Sequence, residues 1–439
     1  MDAQADSIQL LQCQAASLLL YQSVLVGEAG HAFLSLLQAL QHPDSRGINC
    51  LRAYGDWFKA LAGRGESWQD YLITKILTAD NPFTRQAQRQ LVDMPPALVA
   101  AAQQDLRTLQ HLYTCSSTQL SHWVQEAANL PVAPVPWSVE AHPATVGIFQ
   151  GCNPHHVRQK LGQVANWADA LEELMAYYRQ SGTGLFTYGA LGWQSGELQG
   201  ISHPDQVQLG DLVGCEPQKE ALLKNTEFLL AGYSALHVLL YGSRGSGKSS
   251  LVKALLPKYY DRGLRLVEVA KADLKDLGAI AQQLQALPQK FIIFVDDLSF
   301  EADETAYKSL KVLLEGSLSA RPQNVVVYAT SNRRHLIREY FGERPRPSSE
   351  EVHAWDTVQE KLSLSDRFGL LLTFEPANQN TYLAMVQHLA TTAGIPLSRE
   401  ELEYRALQWA TRHNGRSGRT ARQFVSFLQA DLGISLGGD

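Results

Sequence analysis

Charge is scarce in this sequence, and neither sign accumulates. Only 19% of its 439 residues are charged, and 44 acidic against 38 basic side chains leave a net charge of −6. That balance excludes a globally basic nucleic-acid binder, whose affinity comes from neutralising phosphates, although local patches stay open. Cysteine is equally sparse. Cys13, Cys50, Cys115, Cys152 and Cys215 are scattered, five in number, and never spaced as C-x-x-C. They offer no disulfide framework and no zinc site, which points to a reducing compartment. Long apolar runs are missing too. Ser17 to Val26 is largely apolar but stops at Gly27-Glu28, too short to span a bilayer. The opening residues, MDAQADSIQ, are acidic where a secretory leader needs a basic segment. A cytoplasmic protein with no membrane partner is expected.

What is present is enough apolar material, 45% of the chain, for more than one core. At this length two or three domains are expected. Residues 1–205 read as mainly helical. Leu10 to Leu40 carries apolar residues at helical spacing with a break near Gly27 to Gly30, and Trp57–Leu77 and Ala97–Val124 repeat that character. Pro131 to Pro136, PVAPVP, reads as a linker. The aromatic residues that follow, Trp137 through Trp193, are expected to pack a core rather than to stack on bases. This region holds 17 acidic and 11 basic residues, so 17 − 11 = 6 accounts for the whole net negative charge. No catalytic pattern appears in it.

The chain changes character at Leu209. His237 to Tyr241 is a continuous apolar run, the mark of a buried strand. It breaks into Gly242-Ser243-Arg244-Gly245-Ser246-Gly247-Lys248-Ser249, which matches G-x-x-x-x-G-K-[ST] at every fixed position. Ser250 to Leu256 then continues with helical spacing. Glycines let the chain curl so that successive N–H groups face phosphate oxygens, and the following helix turns its positive end to the same anion. Lys248 would reach the β- and γ-phosphates, and the Ser249 hydroxyl would ligate Mg²⁺. A nucleoside triphosphate site follows, cradled by Gly242 through Ser250.

Strands Leu264–Val269, Phe291–Val295, Asn324–Ala329 and Leu370–Phe374 alternate with helices Gln218–Leu230, Leu274–Leu287 and Glu304–Leu318. That alternation implies a parallel sheet covered on both faces. The strand FIIFV ends in Asp296-Asp297. Ligands of open parallel sheets gather at such carboxyl ends, so Asp296 is placed to hold Mg²⁺ and Asp297 to polarise an attacking water. The next strand ends in Thr330-Ser331-Asn332, where a polar side chain could hold that water. Arg367 stands alone before the last strand. Arg419 falls in the first turn of the final amphipathic helix, and Arg422 one turn later.

Together these elements resemble the AAA+ ATPase module over about Val207 to Leu432. By that resemblance Leu212-Val213-Gly214 flanks the adenine, GSRGSGKS is the Walker A loop and FVDD is the Walker B strand end. Asn332 takes the sensor-1 position, with Thr330 as the alternative. Arg367 in LSDRFG matches the arginine finger that enters a neighbouring subunit's site. Arg419 in SGRTARQF matches the sensor-2 arginine of a helical lid. Within AAA+, the runs DLVGCEPQKEALLKNTEFLLAG, YKSLKVLLEG and ATSNRRHLI are similar to a family of predicted bacterial ATPases with a helical N-terminal region. The implied architecture is a helical domain over 1–205, an α/β nucleotide-binding core over 206–376 and a lid over 377–435. ATP and Mg²⁺ are the implied cofactors, and a homo-oligomer is the implied assembly.

Two departures from the AAA+ pattern stand out. Asp297 occupies the place of the usual glutamate, and Ala270-Lys271-Ala272-Asp273 replaces an aromatic pore loop. Three functions remain open: a remodelling ATPase that holds a protein client through residues 1–205, a slow ATP-dependent switch, and a nucleic-acid loader, which the charge balance does not favour. Phe341–Asp356 is expected to form an exposed loop, and with Arg333, Arg334 and Arg338 it is expected to be a solvated face or subunit contact rather than a surface for a partner or nucleic acid.

Overall fold

The computed structural model describes residues 2–89, 94–139, 154–300, 306–315, 322–334, 336, 364–413 and 415–436. The expected loop 341–356, Arg338, Cys152 and both ends of the expected helix 304–318 lie outside the described residues. The chain divides into two compact units, Met1–Thr187 and Tyr188–Asp439. No helix among the described residues is long and apolar enough to cross a membrane.

The first unit is helical. The expected break near Gly27 is present: helix Asp2–Ala16 ends, a short 3-10 turn follows, and helix Glu28–Gln41 starts. Gly30 is required there, since a Cβ would lie 2.5 Å from the Leu25 carbonyl oxygen. Trp68 on helix Trp68–Leu77 stacks on Phe33 and Tyr71 at centroid distances of 4.2 and 5.5 Å. The chain leaving the first helix has N–H groups with no helical partner. Asp105, wholly buried on helix Pro96–Thr114, accepts them from Leu19, Leu20 and Tyr21 at 2.9, 2.7 and 2.9 Å. The proline-rich stretch expected as a linker is instead fastened to this unit. Ser121 and Tyr54 donate hydroxyls to the carbonyls of Pro134 and Val135, and the Trp137 indole donates to Glu66. Prolines leave their neighbours' carbonyls without strand partners, and side-chain donors satisfy them.

The second unit is built on a seven-stranded sheet. Its strands are β1 (Ala190–Gln194), β2 (Glu197–Ile201), β3 (Val238–Gly242), β4 (Leu264–Glu268), β5 (Lys290–Val295), β6 (Val325–Ser331) and β7 (Leu370–Phe374). The order across the sheet is β2-β1-β4-β5-β6-β3-β7, and every pair is parallel except β1 with β2. The expected boundary near residue 205 groups the hairpin β1–β2 with the helical region, yet the hairpin extends this sheet through the register Ala190↔Leu266. Ser195 and Gly196, both with positive φ (53° and 86°), form its two-residue turn. Trp193 accordingly belongs to this unit, where its indole donates to Asp276 at 3.1 Å. The helix after the phosphate loop is also shorter than its apolar spacing suggests. It runs Lys248–Lys253 and restarts as Leu255–Tyr259, because Pro257 has no N–H for the carbonyl of Lys253.

Past β7 come helices Gln379–Thr392, Arg399–Arg412 and Gly418–Leu436. Asn378, Ser398 and Ser417 cap them by accepting the N–H of Thr381, Glu401 and Thr420. They close on their own core of Tyr382, Val386, Leu402, Ala406, Phe424 and Leu428.

Candidate functional site

β3 lies between β6 and β7, so the carboxyl ends of β5, β6 and β3 stand side by side. At the end of β3 the backbone turns sharply. Gly242 has φ 132°, and a Cβ there would sit 2.0 Å from the Phe374 carbonyl oxygen, which accepts the Ser243 N–H at 2.9 Å. Gly245 and Gly247 follow with φ of 70° and 90°. A side chain at Gly245 would press on Ser417 Oγ at 2.9 Å. The curl therefore needs glycine at both levels: for the dihedrals and for the approach of the lid.

Lys248 is 7% exposed. Its Nζ donates to the carbonyls of Gly242 at 3.1 Å and Ser243 at 2.6 Å, and reaches Asn332 Oδ1 at 3.5 Å. Burial pushes its pKa below the ordinary lysine value, and the carboxylates of Asp297 and Asp296 oppose that fall. The Nζ therefore sits beside an acidic pair, in a side chain largely withdrawn from solvent.

That pair is locked by short contacts. Asp296 Oδ1 accepts the Ser249 hydroxyl at 2.6 Å, the Thr330 hydroxyl at 2.5 Å and the Asp297 N–H at 3.2 Å. Asp297 adopts the left-handed region, φ 51°, which Asp tolerates better than most residues. In that conformation its N–H donates to Thr330 Oγ1 at 2.9 Å, and its Oδ1 accepts from Asn332 Nδ2 at 2.6 Å. Thr330 and Asn332, weighed as alternatives for one position, both take part. Thr330 fixes the turn, and Asn332 links Asp297 to Lys248.

A cleft of about 1210 Å³ joins these groups to the lid. Arg244, Ser246 and Ser250 line it with the loop, and Leu212 and Val213 line its other wall. Leu212 Cδ2 would lie 3.7 Å from a Cβ at Gly247. Arg419 enters from the lid, and its backbone N–H donates to the Gly245 carbonyl at 3.2 Å. Gly242 and Ser243 stand behind the cradle and hold Lys248. Arg367 is not among the cleft's lining residues; it ends the short turn Ser365–Arg367 before β7. Sequence reasoning missed the lid's contribution of Met385, Leu389, Trp409 and His413. Trp409 and His413 stack at 4.0 Å on one helix face, an i, i+4 spacing visible in the sequence but indistinguishable there from core packing.

A Mg²⁺-bound triphosphate suits this donor set. The glycine curl leaves room where a Cβ would intrude, and the buried ammonium has only neutral partners besides the nearby acids. Ser249 and Asp296 offer the oxygen ligands that a hard cation takes.

Sheet, glycine cradle and lid define a P-loop α/β protein, the class that the AAA+ resemblance implies. The chain belongs to the family described as "Protein of unknown function (DUF815)", which matches residues 186–432. No curated protein matches the sequence. Among solved structures, the Thermotoga maritima RuvB Holliday junction branch migration motor is 14% identical, with 50% of this chain and 72% of that one covered at a TM-score of 0.31. A single-substitution form of Thermotoga maritima RuvB gives 15% identity and a TM-score of 0.32 over the same shares. Likeness of that size says nothing about activity.

Proposed function

We propose that this protein is a Mg²⁺-dependent ATPase that works as an oligomer and remodels a protein client held through its N-terminal helices. The circuit Ser249–Asp296–Thr330–Asp297–Asn332–Lys248 carries the proposal. What supports the reading is that Ser249, Asp296, Asp297 and the buried Lys248 line one cleft of about 1210 Å³. Bound Mg²⁺ would neutralise charge on the β- and γ-phosphates. The loop N–H groups and Lys248 orient the triphosphate, Asp297 takes a proton from water, and Asn332 sets the direction of that carboxylate. Arg419 approaches from the lid. Arg367, which does not line its own cleft, completes the site of a neighbouring copy. Catalysis of this kind is mostly positioning and charge stabilisation.

Calorimetry with ATP and Mg²⁺ tests the core of the proposal. Wild-type protein should bind, and Lys248→Ala should lose binding. Absence of heat in the wild type, or equal heat in the variant, rejects a nucleotide site here.

One observation favours a slower switch as a second reading. Asp297 is a methylene shorter than the usual acid and already engaged by Asn332 at 2.6 Å. A flat, slow turnover that no added client raises would select the switch.

A further inference from the structure

The space around the phosphate loop does not end with the cleft. A second cavity of about 680 Å³ adjoins it and shares Arg244, Gly245, His413 and Arg419 as walls. Its chemistry differs. The nucleotide cleft has Asp211, Asp296 and Asp297 among its lining residues, whereas no described residue lining the second cavity is acidic. Instead Arg416 joins Arg244, Arg419 and His413 there. The three guanidinium groups are exposed to solvent, which screens their mutual repulsion, and no described acidic residue on the cavity wall neutralises them. Arg416 has a neutral partner: its Nη2 donates to Gln379 Oε1 at 3.2 Å, which aims the guanidinium without cancelling its charge. The 19-residue helix Gly418–Leu436, capped by Ser417, starts on the same wall and adds the positive end of its dipole. The volume lies within the range of small-molecule sites, and forked guanidinium donors suit phosphate oxygens.

We propose that this cavity is a second anion site, which takes a phosphate group in addition to the nucleotide's own. By bridging Arg244 on the phosphate loop and Arg416 on the lid, the anion holds the lid against the core. The site stands without the ATPase reading; only its consequence for lid motion rests on that reading. The phosphate group could come from free orthophosphate, the product of hydrolysis, or from a small phosphomonoester.

Calorimetry on the full chain tests this. Orthophosphate and ribose 5-phosphate are titrated separately into Lys248→Ala, in which the nucleotide cradle is disabled, and into the same variant carrying Arg416→Ala or Thr411→Asp. Arg416 and Thr411 are both exposed, so neither change threatens folding. Loss of one charge-assisted contact should weaken phosphate binding about 10-fold or more, and a carboxylate at 411, on the cavity wall, should abolish it. Arg416→Lys should restore part of the affinity. Tighter binding of orthophosphate identifies the hydrolysis product as the ligand, and tighter binding of ribose 5-phosphate identifies a phosphomonoester. Affinity that is the same with and without Arg416, or no binding in the Lys248→Ala parent, overturns the site. ATP titrated into wild-type protein in parallel separates the two ideas, because failure there rejects the ATPase reading while Arg416-dependent phosphate binding remains.

Discussion

The two units of this chain use carboxylates in opposite ways. In the helical unit, Asp105 is wholly buried and occupied by three backbone N–H groups, so it finishes a fold. In the second unit, Asp296 and Asp297 stand exposed at the end of a buried strand. Their partners are the short side chains of Ser249, Thr330 and Asn332, with one longer contact to Asp296 from the Asp297 N–H. A buried carboxylate whose two oxygens are both taken by backbone N–H groups has no capacity left for a ligand. One bonded to hydroxyls and an amide can exchange those partners for a cation or a water at little cost. If the proposed site is right, the difference separates a structural acid from a working one, and it is open to mutation.

The largest effect is expected at a residue that does not line the cleft. Arg367→Ala should leave ATP affinity unchanged and lower turnover by roughly 10³- to 10⁵-fold, the worth of a finger supplied in trans. Steady-state hydrolysis beside ATP calorimetry checks it, and full activity in dilute monomer would sink the trans arrangement. Asp297→Asn should lower turnover by roughly 10²- to 10⁴-fold, as loss of a general base does, with binding and melting temperature retained. Asp105→Ala should do the reverse. It strands buried N–H groups at about 1–3 kcal/mol each, so the midpoint of denaturant unfolding should fall while ATP affinity holds. If Asp105→Ala left stability intact, or Asp297→Asn unfolded the protein, the contrast between the two kinds of acid would collapse.

The same contrast explains what could be read before the structure. The cradle from Gly242 to Ser250 and the acidic strand end were legible because each role is confined to a few consecutive residues with fixed backbone demands. The parallel sheet was legible from its uninterrupted apolar strands. The β1–β2 hairpin had a signal too, Ser195-Gly196 between two short apolar runs, but its neighbourhood of helices outweighed it. Asp105 had none. Its partners lie some 85 residues away, and a lone Asp in an amphipathic helix looks like a solvated one. Trp409 and His413 were hidden for a related reason. An i, i+4 aromatic pair is compatible with a core or a cleft wall, and only the packing of three lid helices decides between them.

A smaller effect probes the helical unit through its thiols. Cys115 is buried near the end of helix Pro96–Thr114, and desolvation pushes its pKa from 9.0 up to about 12. The neutral thiol is therefore favoured in the folded state. A group whose folded pKa is raised contributes stability that is complete below the unfolded value and lost as pH climbs through the folded one. For Cys115 that window opens near 9 and runs toward about 12. Cys115→Ala should flatten the decline of unfolding free energy with pH across that interval, at the cost of a constant offset from the lost side-chain volume. Cys13, free and exposed, supplies the control: a thiol-alkylating reagent at pH 8 should label it readily in the native protein and Cys115 only after unfolding. Native labelling of both at one rate would mean that the packing around Cys115 opens far more easily than its burial implies.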